Sequence, residues 1–221
     1  MAAIPPSGTA APAALWLAHP EGLSGPAFRQ RALERCVRDA LLARAGGPQG
    51  LAGPGAALSH SGSWVACGAG PALQAGVDLE WLRPRAALRL ARFSYPAEEA
   101  DWLAGQPLAR RLAAFHELWV LKEAAAKALR LPLFTALAQC RFRSLAGDAT
   151  SGVAVRSLQG ELPGGVGWRA WLYAPRANLR LAWLSLDREA PAPSTLEWQV
   201  GTAEPQAADW PLLASGGGVG N

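Results

Sequence analysis

Cysteine and histidine are scarce in this 221-residue sequence, with three residues of each. Cys36, Cys67 and Cys140 are far apart, and none has the CxxC spacing of a zinc or redox motif. These absences argue against a zinc site and against a disulfide-stapled secreted fold. They predict free thiols in a reducing compartment.

Long apolar runs are also missing. Gly, Pro or polar residues interrupt each uncharged stretch well before the roughly 20 apolar residues that a membrane-spanning helix needs. The opening segment MAAIPPSGTAAPAALW has three prolines and no basic residue, unlike a secretory signal. We therefore expect a soluble cytoplasmic protein that does not associate with a membrane.

The composition is that of a folded chain, since 50% of the residues are hydrophobic and 17% are charged. The length suits one domain or two small halves. Residues 1–14 are rich in Ala and Pro, and residues 200–221 end in SGGGVGN, so both segments are expected to be loose tails.

The basic residues have an unusual distribution. The net charge is +4, which points to anionic partners, but no run of five basic residues supports a dedicated nucleic-acid binder. Lys122 and Lys127 are the only lysines among 21 basic residues. Two interpretations stay open: a site that needs compact ammonium groups, or a helix-forming KEAAAK string.

The hydrophobic pattern predicts an α+β fold with antiparallel sheets and one long helix. The expected helices are 26–45, 85–93, 96–103 and 107–129, and the expected strands are 15–18, 58–66, 75–81, 140–145, 153–158, 166–173 and 179–186. After Pro132 the pattern predicts strands only.

Three carboxylates are candidates for cation binding. Asp78 and Glu80 alternate with Val77, Leu79 and Trp81, so the two carboxylates share one face of a strand. Glu123 lies on the long helix, where it continues the apolar stripe of Phe115 and Trp119. Oxygen donors of this kind suit Mg²⁺, although a D-x-E pair is more often the solvated face of an edge strand.

Ser59, His60 and Ser61 precede this strand, and their hydroxyl and imidazole groups suit a phosphate or an ordinary turn. His19 and His116 are interpreted as structural. The sequence has no G-x-S-x-G elbow, no phosphate-binding P-loop and no G-x-G-x-x-G motif. Serine-hydrolase chemistry and the common forms of nucleotide binding are therefore unsupported.

Over residues 57–143 these motifs together resemble the 4'-phosphopantetheinyl transferases of the larger, surfactin-synthetase-activating type. The ordered motifs are Ser59-His60-Ser61, then Gly76-Val77-Asp78-Leu79-Glu80, then Arg92-Phe93 with Glu98, then Trp119-Val120-Leu121-Lys122-Glu123-Ala124 with Lys127. The last motif resembles the Trp/Lys-Glu-Ala subgroup, often associated with broad use of carrier proteins. Both lysines fall within it.

The resemblance implies a role for each matching residue. Asp78, Glu80 and Glu123 would hold Mg²⁺ with the pyrophosphate of coenzyme A, while Ser59 and His60 would contact phosphates of its adenosine end. Lys127 would contact the phosphate and assist the leaving group, and Lys122 would also bind the coenzyme. Glu98 would give structural support.

The implied reaction is the attack of a serine of an apo acyl or peptidyl carrier protein on the β-phosphate of coenzyme A. It releases 3',5'-ADP, and Glu123 would take the serine proton, directly or through a water held by the metal.

The implied fold is a pseudo-twofold monomer with the ligand between two similar halves, here 15–75, which looks shortened, and 76–190. The N-terminal half departs from the family because Arg29, Arg31, Arg35 and Arg38 are its basic residues and no G-K-P-like segment precedes Ser59. A relative that binds coenzyme A or a carrier protein without efficient transfer is therefore the alternative. A basic nucleic-acid-binding protein is a third, which the carboxylates and lysines do not favour.

Overall fold

The structure, a computed structural model, describes residues 14–19, 57–69, 74–145, 155–199 and 206–218 and has a mixed α+β architecture. Its strands are β1 (Ala14–His19), β2 (Ala57–Ser61), β3 (Trp64–Ala69), β4 (Ala75–Trp81), β5 (Arg141–Leu145), β6 (Arg156–Glu161), β7 (Trp168–Tyr173), β8 (Leu179–Ser185), β9 (Ser194–Gln199), β10 (Gln206–Ala207) and β11 (Leu212–Gly218). Its α-helices are α1 (Ala87–Ser94), α2 (Ala97–Ala104), α3 (Leu108–Leu129) and α4 (Leu133–Gln139).

The strands form two sheets within this part of the chain. One has the order β10-β9-β1-β3-β2 and the other has the order β4-β8-β7-β11-β6-β5. The sequence pattern predicted antiparallel sheets, but both sheets contain a parallel pair and are therefore mixed. The pairs β1–β9 and β6–β11 are parallel.

The six-stranded sheet is buried on both faces near β4, β8 and β7. On one face Val77, Leu79 and Trp183 pack with Leu15 and Leu17 of the other sheet. On the opposite face, Ala182 and Leu184 of β8 pack in a cluster that contains Phe115 and Leu121 of α3. We call this second surface the helix face.

The predicted long helix is confirmed as α3. It begins after Pro107, whose fixed φ suits a helix start, and ends at Leu129, before Arg130, which adopts the left-handed conformation with φ 55°. The shorter helices α1 and α2 are also confirmed. The expectation of strands alone after Pro132 is wrong, because Leu133–Gln139 is helical. The helix predicted for 26–45 lies outside the described residues.

Two further predictions, one of a strand and one of a loose tail, need correction. The predicted strand 58–66 is two strands, because Gly62 adopts φ 63° in a tight turn between β2 and β3. The expected tail 200–221 is wrong over residues 206–218, since β11 pairs with both β6 and β7 inside the larger sheet. The division into halves 15–75 and 76–190 and their pseudo-twofold relation stay predictions.

Glu117 ties α3 to the larger sheet. Its carboxylate accepts hydrogen bonds from Arg110 at 2.5 Å, Arg156 at 2.8 Å and Arg180 at 3.3 Å. Burial alone would raise the pKa of Glu117, but the hydrogen bond from Arg110 and the charges of Arg156 and Arg110 hold the pKa below its ordinary value. The helix is thus held to β6 and β8 by charge as well as by apolar packing.

None of the described helices combines the length and the apolar character that crossing a membrane requires.

Candidate active site

Asp78 and Glu80 lie on the helix face of β4. Their cross-strand partners are Ala182 and Arg180 of β8, whereas Val77 and Leu79 point into the core on the other side. Asp78 is buried and Glu80 is partly buried. The strand therefore presents two carboxylates on one face, as its alternating sequence predicts, and that face is covered by a helix.

A close approach of backbones brings α3 onto this strand. A Cβ atom at Gly76 would lie 1.9 Å from the carbonyl oxygen of Ala124 and 2.9 Å from the amide nitrogen of Ala128. Glycine is therefore the residue that lets the helix pack here. This contact places Glu123 and Lys127, one turn apart on α3, beside Asp78.

Lys127 bridges the helix and the strand. Its Nζ donates to Oδ1 of Asp78 at 2.8 Å and to the carbonyl oxygen of Val77 at 2.9 Å. About one third of its side chain is exposed (33%), so solvent reaches the residue at this contact.

The carboxylates repel one another. Burial, followed by the charge of Asp78 and then that of Glu80, raises the pKa of Glu123 to about 7, although Lys127 opposes this rise. Burial also raises the pKa of Asp78 above its ordinary value, against the opposing effects of Lys127 and Ser59. Asp78, Glu80 and Glu123 together carry more negative charge than Lys127 offsets. A proton or a bound cation would reduce the repulsion among the three carboxylates.

The donors at this site fit a hard divalent cation. Oδ2 of Asp78 is buried and has no hydrogen-bond partner in the part of the chain that the structure describes. Among the same residues, no group of three or more His, Cys, Asp or Glu side chains is arranged so that it could hold a metal ion. A few carboxylates completed by water and substrate oxygens are the ordinary surroundings of Mg²⁺, so Asp78, Glu80 and Glu123 suit it by the type of their donor atoms.

Ser59 and Ser61 face these carboxylates. Oγ of Ser59 donates to Oδ1 of Asp78 at 2.7 Å, and Oγ of Ser61 donates to Oε2 of Glu80 at 3.0 Å. Both serines are buried, whereas His60 between them is exposed. The expected contact of Ser59 with a phosphate of the coenzyme stays a prediction.

Lys122 is placed differently from the expected coenzyme contact. Its ammonium group is fully buried, forms an ion pair with Glu99 at 2.7 Å and donates to the carbonyl oxygens of Leu137, at 2.9 Å, and Cys140. All three of its N–H donors are used inside the protein, and its expected contact with the coenzyme stays a prediction.

The buried glutamate is Glu99 and not Glu98, which was expected to give structural support. Glu99 also accepts the backbone N–H of Phe142 at 2.7 Å. Glu98 pairs with Arg141 on the surface. Successive residues of a helix point in different directions. Glu98 therefore lies on the surface, although its neighbour Glu99 is buried.

Arg85 is a neighbour of the site that sequence reasoning missed. Its guanidinium lies 3.5 Å from the carboxylate of Glu80 and 5.7 Å from the centre of the Trp119 ring. The only sequence signal was its position four residues after Trp81, at the end of the carboxylate strand. Arg85 adds positive charge and an aromatic contact at the outer end of the site.

The comparisons with known proteins bear on the segment that carries this geometry. Residues 74–165 match the family model of the 4'-phosphopantetheinyl transferase superfamily. A stretch of 67 residues is also 42% identical to the 4'-phosphopantetheinyl transferase psf-1 of Bacillus pumilus. This stretch makes up 30% of the chain and spans 28% of that relative's length.

The segment that matches the phosphopantetheinyl transferase superfamily contains Asp78, Glu80, Glu123 and Lys127, but not Ser59 or His60. It covers less than half of the chain. The resemblance of the carboxylate strand and of the long helix to this superfamily is thus confirmed, whereas the subgroup stays a prediction.

Proposed function

We propose that this protein transfers the 4'-phosphopantetheine group of coenzyme A to a serine of an apo acyl or peptidyl carrier protein and releases 3',5'-ADP. The observation that supports this most strongly is the grouping of Asp78, Glu80, Glu123 and Lys127 between β4 and α3, within the segment that matches the superfamily. The broad-carrier subgroup and the holo-[acyl-carrier-protein] synthase type belong to the same proposal.

Asp78, Glu80 and Glu123 would hold Mg²⁺, which when bound would neutralise charge on the pyrophosphate oxygens of coenzyme A. The unpartnered Oδ2 of Asp78 supports this assignment. Lys127 lies against Asp78 and is partly exposed, so its ammonium group can also meet a phosphate oxygen and stabilise the leaving group.

Glu123 is the proposed base for the acceptor serine. A serine hydroxyl is a weak nucleophile, so its proton must leave as the bond to phosphorus forms. The exposed side of Glu123 is where an acceptor from another protein would reach it.

The substrates suit the charge of the protein. Coenzyme A is polyanionic and carrier proteins are typically acidic, whereas this chain has a net charge of +4. His60, which is exposed next to the buried serines, is the proposed contact for phosphates of the adenosine end. The proposal also includes a monomeric, cytoplasmic protein that does not act on nucleic acids or membranes.

An alternative within the same family is a protein that binds coenzyme A or a carrier protein without efficient transfer. The absence of a G-K-P-like segment before Ser59 favours this alternative. The two functions differ in turnover and not in binding, so a rate measurement separates them.

The proposal is tested by measuring 3',5'-ADP release by chromatography, with coenzyme A, Mg²⁺ and an apo carrier protein present. Glu123→Gln is expected to lower the rate at least about 100-fold, the lower range for loss of a general base. Glu98→Gln is the matched control, because Glu98 lies on the surface, and it should keep the wild-type rate. Equal rates for the two variants would remove Glu123 from the mechanism.

A further inference from the structure

Ser59 and Ser61 repeat one arrangement twice. Each hydroxyl donates to a carboxylate of β4 and accepts the backbone N–H of the residue that follows that carboxylate. The distances from Oγ to nitrogen are 3.2 Å for Leu79 and 3.0 Å for Trp81. The repeat has the two-residue period of both strands, so it is a property of their register.

The two strands belong to different sheets. β2 is the edge of the five-stranded sheet and β4 is the edge of the six-stranded sheet. The serine hydroxyls stand where main-chain partners would be in a continuous sheet, because they bind the N–H groups of Leu79 and Trp81. The smaller sheet thus reaches the carboxylates through these two side chains.

The contacts fix one oxygen of Asp78 and leave the other available. Oδ1 accepts from Ser59 at 2.7 Å and from Lys127 at 2.8 Å, on opposite elements of the fold. Oδ2 is buried and has no hydrogen-bond partner among the described residues. A carboxylate held through one oxygen in this way presents the second oxygen in one direction.

We propose that Ser59 and Ser61 are positioning residues that orient Asp78 and Glu80 for a divalent cation. This inference rests on the proposed function and assigns to the first and last residues of the Ser-His-Ser motif a role in the metal site. Burial of both serines supports it, because each buried hydroxyl donates to one group of β4 and accepts from another.

The test compares two variants of one shape. Ser59→Thr and Ser59→Val add the same bulk, but only threonine keeps a hydroxyl. Mn²⁺ binding is measured by the electron paramagnetic resonance signal of the free ion, without coenzyme A or a carrier protein. Because valine cannot donate to Asp78, we expect its Mn²⁺ dissociation constant to exceed that of the threonine variant about tenfold.

A second position and a control complete the design. Ser61→Ala should weaken Mn²⁺ binding about threefold, since its hydrogen bond to Glu80 is longer and less buried. Ser63→Ala changes an exposed residue of the turn between β2 and β3, and it should bind Mn²⁺ as the wild type does.

The outcomes separate a positioning role from a structural one. Equal Mn²⁺ affinity of the threonine and valine variants, with a lower melting temperature for valine, would overturn the proposal and leave Ser59 as a sheet-joining residue. A wild-type protein that binds no Mn²⁺ would overturn it as well. A wild type that binds Mn²⁺ but transfers no phosphopantetheine would refute only the proposed function.

Discussion

Gly76→Ala is the substitution that most directly tests how the fold builds the site. The added Cβ would start 1.9 Å from the carbonyl oxygen of Ala124, and real Cβ contacts are essentially never shorter than 3.0 Å. The helix and the strand would therefore have to separate by about 1.1 Å, the difference of these two distances. Neither partner can yield by a rotamer change, because both are backbone.

The separation has two measurable consequences. Overpacking of a buried contact costs about 1–3 kcal/mol, so the free energy of unfolding in urea should fall by that amount. Glu123 and Lys127 move with the helix, and a misplacement of about 1 Å can lower a rate about 100-fold. We therefore expect a variant that still folds but that transfers phosphopantetheine about 100-fold more slowly.

Gly105→Ala is the matched control. Gly105 follows α2 with φ −73°, and its added Cβ would meet its nearest atoms at 3.5 and 3.6 Å, ordinary contact distances. This variant should keep the transfer rate and gain up to about 1 kcal/mol of stability, because alanine restricts the unfolded chain. Wild-type stability and rate for Gly76→Ala would refute the reasoning about the close approach.

Two further predictions concern buried charges. Lys122→Met leaves Glu99 buried without its partner, so the free energy of unfolding at pH 7 should fall by about 3–5 kcal/mol, and adding Glu99→Gln should recover part of the loss. Urea titrations of the three proteins check this, and a loss below about 1 kcal/mol would contradict it. Glu117→Gln tests pH dependence: the pKa of Glu117 is lowered in the folded protein, so its stabilisation is present above the ordinary glutamate pKa and is lost as the pH falls through the folded value. The stability difference from the wild type should shrink between pH 7 and pH 3, and a constant difference would exclude this linkage.

The local patterns in the sequence predicted the elements that carry the chemistry. Alternation placed Asp78 and Glu80 on one face of β4, and the helical repeat placed Glu123 and Lys127 on α3. Periodicity depends only on near neighbours, so it is visible in the sequence without the fold.

Pairings between distant residues could not be read in this way. The partner of Ser59 is 19 residues away, and that of Lys122 is Glu99 on another helix. Whether an ammonium group meets a phosphate or a buried carboxylate depends on the packing of α2, α3 and α4, which a motif does not specify. These partners of Ser59 and Lys122 were therefore not predicted, although both residues had been noticed.

Strand β11 was missed for a related reason. Its sequence LLASGGG has little apolar alternation, and glycine usually disfavours strands. In the sheet the glycines allow close contact: a Cβ atom at Gly216 would lie 2.0 Å from the carbonyl oxygen of Leu158. A glycine-rich segment that looks like a tail can thus be required for packing.

The most direct test of the proposed function is intact mass spectrometry of an apo acyl carrier protein incubated with this protein, coenzyme A and Mg²⁺. The account predicts that the carrier gains the mass of one phosphopantetheine group, and that EDTA prevents the gain. No gain on several unrelated carriers, while coenzyme A still binds, would contradict transfer and favour a binding protein. A protein that neither modifies a carrier nor binds coenzyme A would contradict the account altogether.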